Sequence, residues 1–124
     1  MVIPDRQERL AAIVERARHI PPLPVQKKTP VQRVPGCVSP VWLSEEMHEG
    51  RVRLHADAES PLVRGLVQLL CEAYDGGLPG DVATTEVTLF EALDLLRELT
   101  PTRRNGLAAV RTRIRAFAQL HAKA

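Results

Sequence analysis

Apolar residues recur at helical spacing early in the chain, at Leu10, Ile13, Val14, Ala17 and Ile20, with charges between them. That spacing predicts a helix over 4–20. Pro4 suits its first turn, Asp5 and Glu8 suit its positive end, and Arg16 and Arg18 suit its last turns. Pro21 and Pro22 stop it. A short apolar run over 38–44 reads as a strand, and Pro40, with no N–H to give a ladder, places that strand at an edge. Residues 51–56 alternate polar and apolar, as a strand with one buried face does. Glu49-Gly50 is a turn signal, so the two strands form a hairpin with a loose loop over 45–50.

Ser60 and Pro61 combine an N-cap with a first-position proline and open the next helix. Its apolar face is broad (Leu62, Val63, Leu66, Val67, Leu69, Leu70, Ala73, Tyr74), which marks a central and mostly buried element. Asp75-Gly76-Gly77 ends it. A short turn or helix starts at Pro79, and Thr88 caps a helix over 89–96. The stretch from Leu99 to Leu107 bends into a last helix reaching about His121, with Leu107, Val110, Ile114 and Phe117 as its inner stripe. Between the first helix and the hairpin, residues 21–35 are rich in proline and cations. They read as an ordered surface segment with a short strand at 31–34. The order of elements implies an α+β fold, a small antiparallel sheet of two or three strands packed on one face by helices, in a single domain spanning 1–124.

Composition narrows the function classes. With 17 Lys and Arg against 15 Asp and Glu, the net charge is only +2, and only four residues are aromatic (Trp42, Tyr74, Phe90, Phe117). Neither a basic face nor a set of stacking platforms for nucleic acid is expected. No apolar run approaches the roughly 20 residues that cross a bilayer, and the first ten residues lack the apolar core of a secretory signal, so a cytoplasmic protein is expected. The two cysteines, Cys37 and Cys71, and the four histidines show no metal-ligand spacing.

Chemistry concentrates at the bend Pro35-Gly36-Cys37. Proline fixes its own φ and glycine permits angles that other residues resist, so the thiol sits at or near a loop tip beside a strand. A reactive thiol and a packed structural cysteine are both open on these residues, and the packed reading is favoured on them alone. Cys71, on the margin of the central helix's apolar face, reads as packed and inert. Three polar stretches are expected to meet: the Cys37 bend, the 57–59 approach to the central helix, and the 100–106 turn. The last puts Arg103 and Arg104 at a helix start, where cations are not electrostatically favoured; contact with an anion or a partner and a solvated pair of arginines are both open on pattern alone. Nucleophile-elbow and phosphate-loop patterns are lacking.

Four stretches resemble a known family. The segment from Val34 to Leu43 (VPGCVSPVWL) resembles the VPGCQSQVWL segment of SufE-type sulfur-acceptor proteins. Glu59 to Leu66 is similar to that family's SDAxIVKGL, Leu99 to Leu107 to its LTPSRxNGL, and Ile20 to Pro24 to the end of its first long helix. Val38 and Pro40 stand where glutamines are usual, and Glu59, Arg64 and Thr102 replace aspartate, lysine and serine. The resemblance implies a fold like that of iron–sulfur scaffold proteins and no cofactor of the chain's own. It implies that Cys37 accepts persulfide sulfur from a pyridoxal-phosphate cysteine desulfurase, stimulates that enzyme, and passes the sulfur to an iron–sulfur scaffold. Gly36, Ser39, Trp42, Glu59, Arg64, Arg103 and Asn105 are then the candidates for contacting the partner or supporting the loop, with Arg103 the first of them. The chain would be a carrier rather than an enzyme, with a homodimer left open. A scaffold, a thiol-dependent redox enzyme using Cys37, and a regulatory module that carries no sulfur are the competing readings.

Overall fold

The computed structural model describes residues 6–35, 39–85 and 99–122. The elements are α1 (Arg6–Arg18), a 3-10 turn (Val25–Lys27), β1 (Val41–His48), β2 (Arg51–Ala58), α2 (Pro61–Tyr74), α3 (Pro79–Thr84) and α4 (Pro101–Ala122). Gly36, Cys37, Val38 and the helix expected over 89–96 with its cap Thr88 lie outside the described residues. The fold is α+β, as the sequence implies.

β1 and β2 pair antiparallel from Val41↔Ala58 to His48↔Arg51. The hairpin is tighter than expected. β1 runs past Ser44 to His48, and only Glu49 and Gly50 connect the strands, both with positive φ (52° and 78°). Two successive left-handed residues give a turn whose twist matches that of the flanking strands. Glu45, Glu46 and His48 look like loop residues in the sequence. They belong to a strand whose outer positions face solvent. The expected strand at 31–34 reduces to one bridge, Arg33↔Trp42, flanked by the Val34 amide donating to the Val41 carbonyl and the Leu43 amide donating to the Gln32 carbonyl, both at 2.8 Å. The last helix also begins earlier than expected. Thr100 Oγ1 accepts from the Arg103 amide at 3.2 Å, Pro101 takes the first position, and Asn105-Gly106 lies inside the helix rather than in a turn.

Pairing assigns the two faces of the hairpin. Val41, Leu43, Val52, Ala56 and Ala58 point to one side. They are buried with Leu66, Val67, Leu70 and Tyr74 of α2 and with Leu107, Val110, Ile114 and Ala118 of α4. Trp42, Ser44, His55 and Asp57 belong to the other side. The proline-rich segment lies over it: the Leu23 amide donates to Asp57 Oδ2 (3.1 Å), Lys28 Nζ is 3.1 Å from the same oxygen, and Lys27 reaches Glu46 (2.9 Å). α1 docks on α2 through a close backbone approach at Gly65, where a Cβ would stand 2.6 Å from Ile13 Cγ2 and 3.0 Å from the Ile13 carbonyl oxygen.

Asp57 is 3% exposed and ion-paired at both oxygens, Oδ1 receiving Arg64 Nε at 2.7 Å and the Ala58 amide at 2.9 Å. Burial by itself would raise its pKa. The bonds from Arg64, Lys28 and the amides of Ala58 and Leu23 outweigh that, and the carboxyl is held below the ordinary value. A depressed folded-state pKa means that this stabilisation is complete above the unfolded value, about 3.9, and fades as pH falls through the folded one.

Asp57→Asn is expected to lose about 3 kcal/mol at pH 7, because two cations stay behind with a neutral partner. Urea unfolding at successive pH values should show wild type and variant converging below about pH 4, and parallel curves would contradict the assignment. Gly65→Ala gains about 1 kcal/mol of helix propensity but must displace Ile13, so a net loss of about 1–2 kcal/mol is expected in the same assay.

Candidate functional site

A cavity of ≈ 280 Å³ opens between the chain entering β1, the start of α2 and the start of α4. Its wall is Ser39 and Val41 from the loop exit and β1, Ser60 and Val63 from α2, and Thr100, Thr102, Arg103 and Gly106 from α4. Of the three stretches expected to meet, 100–106 lines the cavity; Ser60 and Val63 stand there instead of 57–59, and Ser39 is the described residue nearest in the chain to the Cys37 bend, which itself lies outside the described residues. The third is the first turns of a helix rather than a turn.

Local chemistry explains why these residues stand there. Ser60 is the N-cap of α2 and accepts from the Val63 amide at 3.5 Å, while Thr100 caps α4. Ser60 has extended backbone (φ −73°, ψ 124°), and both caps, at the first turns of their helices, line the cavity. An α-helix carries roughly half a positive charge at its N-terminus. Two such ends and the Arg103 guanidinium make the wall electropositive, and no acidic side chain lines it among the described residues. Four hydroxyls (Ser39, Ser60, Thr100, Thr102) supply groups that both donate and accept, and Val41 and Val63 supply an apolar floor. An anionic or polarisable group is favoured in such a place.

The loop over 35–40 is closed at its base by the Val34–Val41 hydrogen bond. Ser39, two residues after Cys37 in the chain, lines the cavity; Cys37 and Gly36 themselves lie outside the described residues. The Glu59 amide donates to the Pro40 carbonyl at 3.2 Å, so the exposed Glu59 ties the loop exit to the approach of α2 through its backbone. Trp42 alternates with Val41 and faces away from the cavity, under Lys28 Nζ at 5.0 Å from its ring centre. Arg64 turns inward. Its ion pair is with Asp57, not Glu59, and its remaining donors reach the Ala17 carbonyl and, at 2.7 Å, the Ile20 carbonyl at the end of α1. Arg103 is on the wall with its head exposed, and Asn105 is exposed on α4 outside the wall.

Sequence reasoning missed Arg113, which fastens the incoming arm of the loop, and the role of Asp57 beneath Trp42. Ser60 and Thr100 could have been found as wall residues, since both are N-caps preceding proline. Cys71 is packed at 4% exposure. Burial, with Asp75, Glu72 and Glu45 adding negative potential, pushes its thiol up to about 12, so it is an inert neutral group. Among the described residues, no cluster of three or more His, Cys, Asp or Glu is placed to hold a metal ion. No helix among them is long and apolar enough to cross a membrane.

Comparison with known proteins agrees with this arrangement. Residues 2–118 match the family described as SufE, Fe-S metabolism associated domain. An uncharacterized SufE-like protein of Rhizobium etli is 30% identical over 125 residues, an alignment covering 97% of this chain and 84% of that protein. The solution structure of a hypothetical protein from Thermus thermophilus superimposes with a TM-score of 0.77 at 26% identity, covering 98% of this chain and 89% of that one. The chain belongs to the SufE family of Fe-S metabolism associated domains.

Proposed function

We propose that this protein is a sulfur acceptor and carrier: Cys37 takes sulfur from the persulfide of a pyridoxal-phosphate cysteine desulfurase, stimulates that enzyme, and delivers the sulfur to an iron–sulfur assembly scaffold. The observation that carries the reading is the convergence of two helix N-termini, four hydroxyls and Arg103 on one cavity within two residues of Cys37. The pyridoxal phosphate belongs to the desulfurase, and the carrier itself works without a cofactor, as a single domain in the cytoplasm.

The transfer is an exchange at sulfur. The Cys37 thiolate attacks the outer sulfur of the desulfurase persulfide. One S–S bond forms as the other breaks, and the desulfurase cysteine leaves as a thiolate. Cys37-S-SH is the product, with no net oxidation. The attacker must be ionised, and an ordinary cysteine, with a pKa of roughly 8.5, is mostly neutral at pH 7. Positive potential from the first turns of α2 and α4 and from Arg103 acts in the required direction. The apolar floor and the narrow loop base would shelter the persulfide from oxidants between partners. Glu59 and Asn105, both exposed, are side chains free to meet the desulfurase, while Ser39, Trp42 and Arg64 support the loop and its stem.

A redox enzyme with Cys71 as resolving thiol is disfavoured by the burial and raised pKa of that group. The regulatory module without sulfur carriage differs from the proposal only at Cys37, which makes it the natural competitor.

Incubation with a cysteine desulfurase and cysteine is expected to add the mass of one sulfur atom to Cys37, read by intact-mass spectrometry, and Cys37→Ser should abolish both uptake and stimulation. Uptake by Cys37→Ser would sink the reading, and stimulation retained without uptake would leave the regulatory module. Arg103→Gln is expected to slow alkylation of Cys37 near neutral pH at low salt, and to do so less at high salt.

A further inference from the structure

We infer that Arg113 is a positioning residue for the Cys37 loop, a role that rests on Cys37 being the sulfur acceptor. Arg113 lies midway along α4, about 15 Å along the helix axis from Arg103. A guanidinium has five N–H donors, and each finds an acceptor here. Nε donates to Glu45 Oε1 at 2.9 Å. One terminal nitrogen donates to the carbonyls of Gln32 (3.2 Å) and Arg33 (3.1 Å), and the other to those of Val31 (2.7 Å) and Leu43 (3.4 Å).

The acceptors on the arm are three consecutive carbonyls followed at once by Val34, the residue that closes the loop base against Val41. In a full third strand a neighbouring ladder would fix those carbonyls. Here the arm has a single bridge to Trp42 with two backbone bonds to β1, of which the Gln32 carbonyl takes one, and the carbonyls of Val31 and Arg33 need donors from elsewhere. Arg113 supplies them, adding a side-chain tie that fixes the arm to α4 as well as to β1. The charge is half sheltered, with side-chain exposures of 22% for Arg113 and 14% for Glu45. Stability alone would be served at least as well by an apolar pair in that setting. A fork that reads three backbone carbonyls supplies direction instead. α4 also carries Thr102, Arg103 and Gly106 of the cavity wall, so the clamp and the wall are parts of one rigid rod. The loop arm and the electropositive wall are thereby held in a single frame.

The test compares the whole protein with Arg113→Lys, which keeps a cation opposite Glu45 but cannot reproduce the fork. Glu45→Gln is the control, since it removes the ion pair and leaves the carbonyl bonds. Amide hydrogen exchange at Val34 and Leu43 should accelerate at least tenfold in Arg113→Lys, with amides of α2 unchanged. Desulfurase-driven loading of Cys37 at saturating desulfurase should slow by about tenfold or more, with the half-saturating concentration unchanged, as misplacement of a reacting group predicts. Glu45→Gln should leave both readouts near wild type. Unchanged exchange in Arg113→Lys would overturn the inference. So would accelerated exchange with normal loading, or an equal effect of Glu45→Gln. If the wild-type chain takes no sulfur, the acceptor reading falls on that result alone, while exchange at Val34 and Leu43 still decides whether Arg113 holds the arm.

Discussion

The carboxylate of Asp57 joins three parts of the chain: the proline-rich segment, the hairpin and α2. It sits directly across from Trp42 in the hairpin register and receives the Leu23 amide, the Ala58 amide, Lys28 and Arg64. A charge buried to this degree costs several kcal/mol unless its oxygens are fully engaged, so the segments that bring those donors must all be in place together. Arg64 extends the constraint to α1, because its other nitrogens cap the carbonyls at the end of that helix, where a cation is favoured. The proline-rich segment has almost no regular structure. Its first half is held by this carboxylate, by Lys27 on Glu46 and by Lys28 resting on Trp42, and its second half by Arg113 and two backbone bonds to β1. The second face of a two-stranded sheet, which would otherwise be bare, is covered in this way.

With the hairpin covered on both faces, the loop that bears Cys37 springs from a stem whose two sides are fixed from different directions. β1 is held by pairing to β2. The arm before the loop is held by Arg113 from α4, and the loop exit by the Glu59 amide from the approach to α2. The two helices that bound the cavity therefore also brace the stem.

The hydrophobic pattern carried most of the fold. Helical periodicity located α1, α2 and the inner stripe of α4, and alternation located β2, because in each case one face is buried and the other is not. The pattern failed where burial is partial. Glu45, Glu46 and His48 hide the second half of β1, and Asn105-Gly106 imitates a turn inside α4, where Gly106 is buried against neighbouring structure. For the site, the 100–106 wall was legible because Thr100, Pro101 and the misplaced charge of Arg103 are signals that packing alone does not need, whereas 57–59 gave way to Ser60 and Val63. Arg113 gave no such signal. Its acceptors are backbone carbonyls, which every residue has, and a guanidinium that binds them looks in sequence like any arginine on a solvated helix face.

Pro40 illustrates how the site tolerates a change of side chain. The SufE-type segment that the chain resembles has glutamine there, with an amide side chain and a backbone N–H that proline lacks. β1 begins one residue later, at Val41, so no ladder bond is forfeited by the missing N–H. The group in use at this position is the carbonyl, which accepts from Glu59 and which proline keeps. Proline also fixes φ at the point where the loop enters the strand, which narrows the directions the Cys37 tip can explore. The substitution replaces side-chain hydrogen bonding by backbone stiffness. A stiff exit and a braced arm hold the two described ends of the loop through a different balance of the same forces.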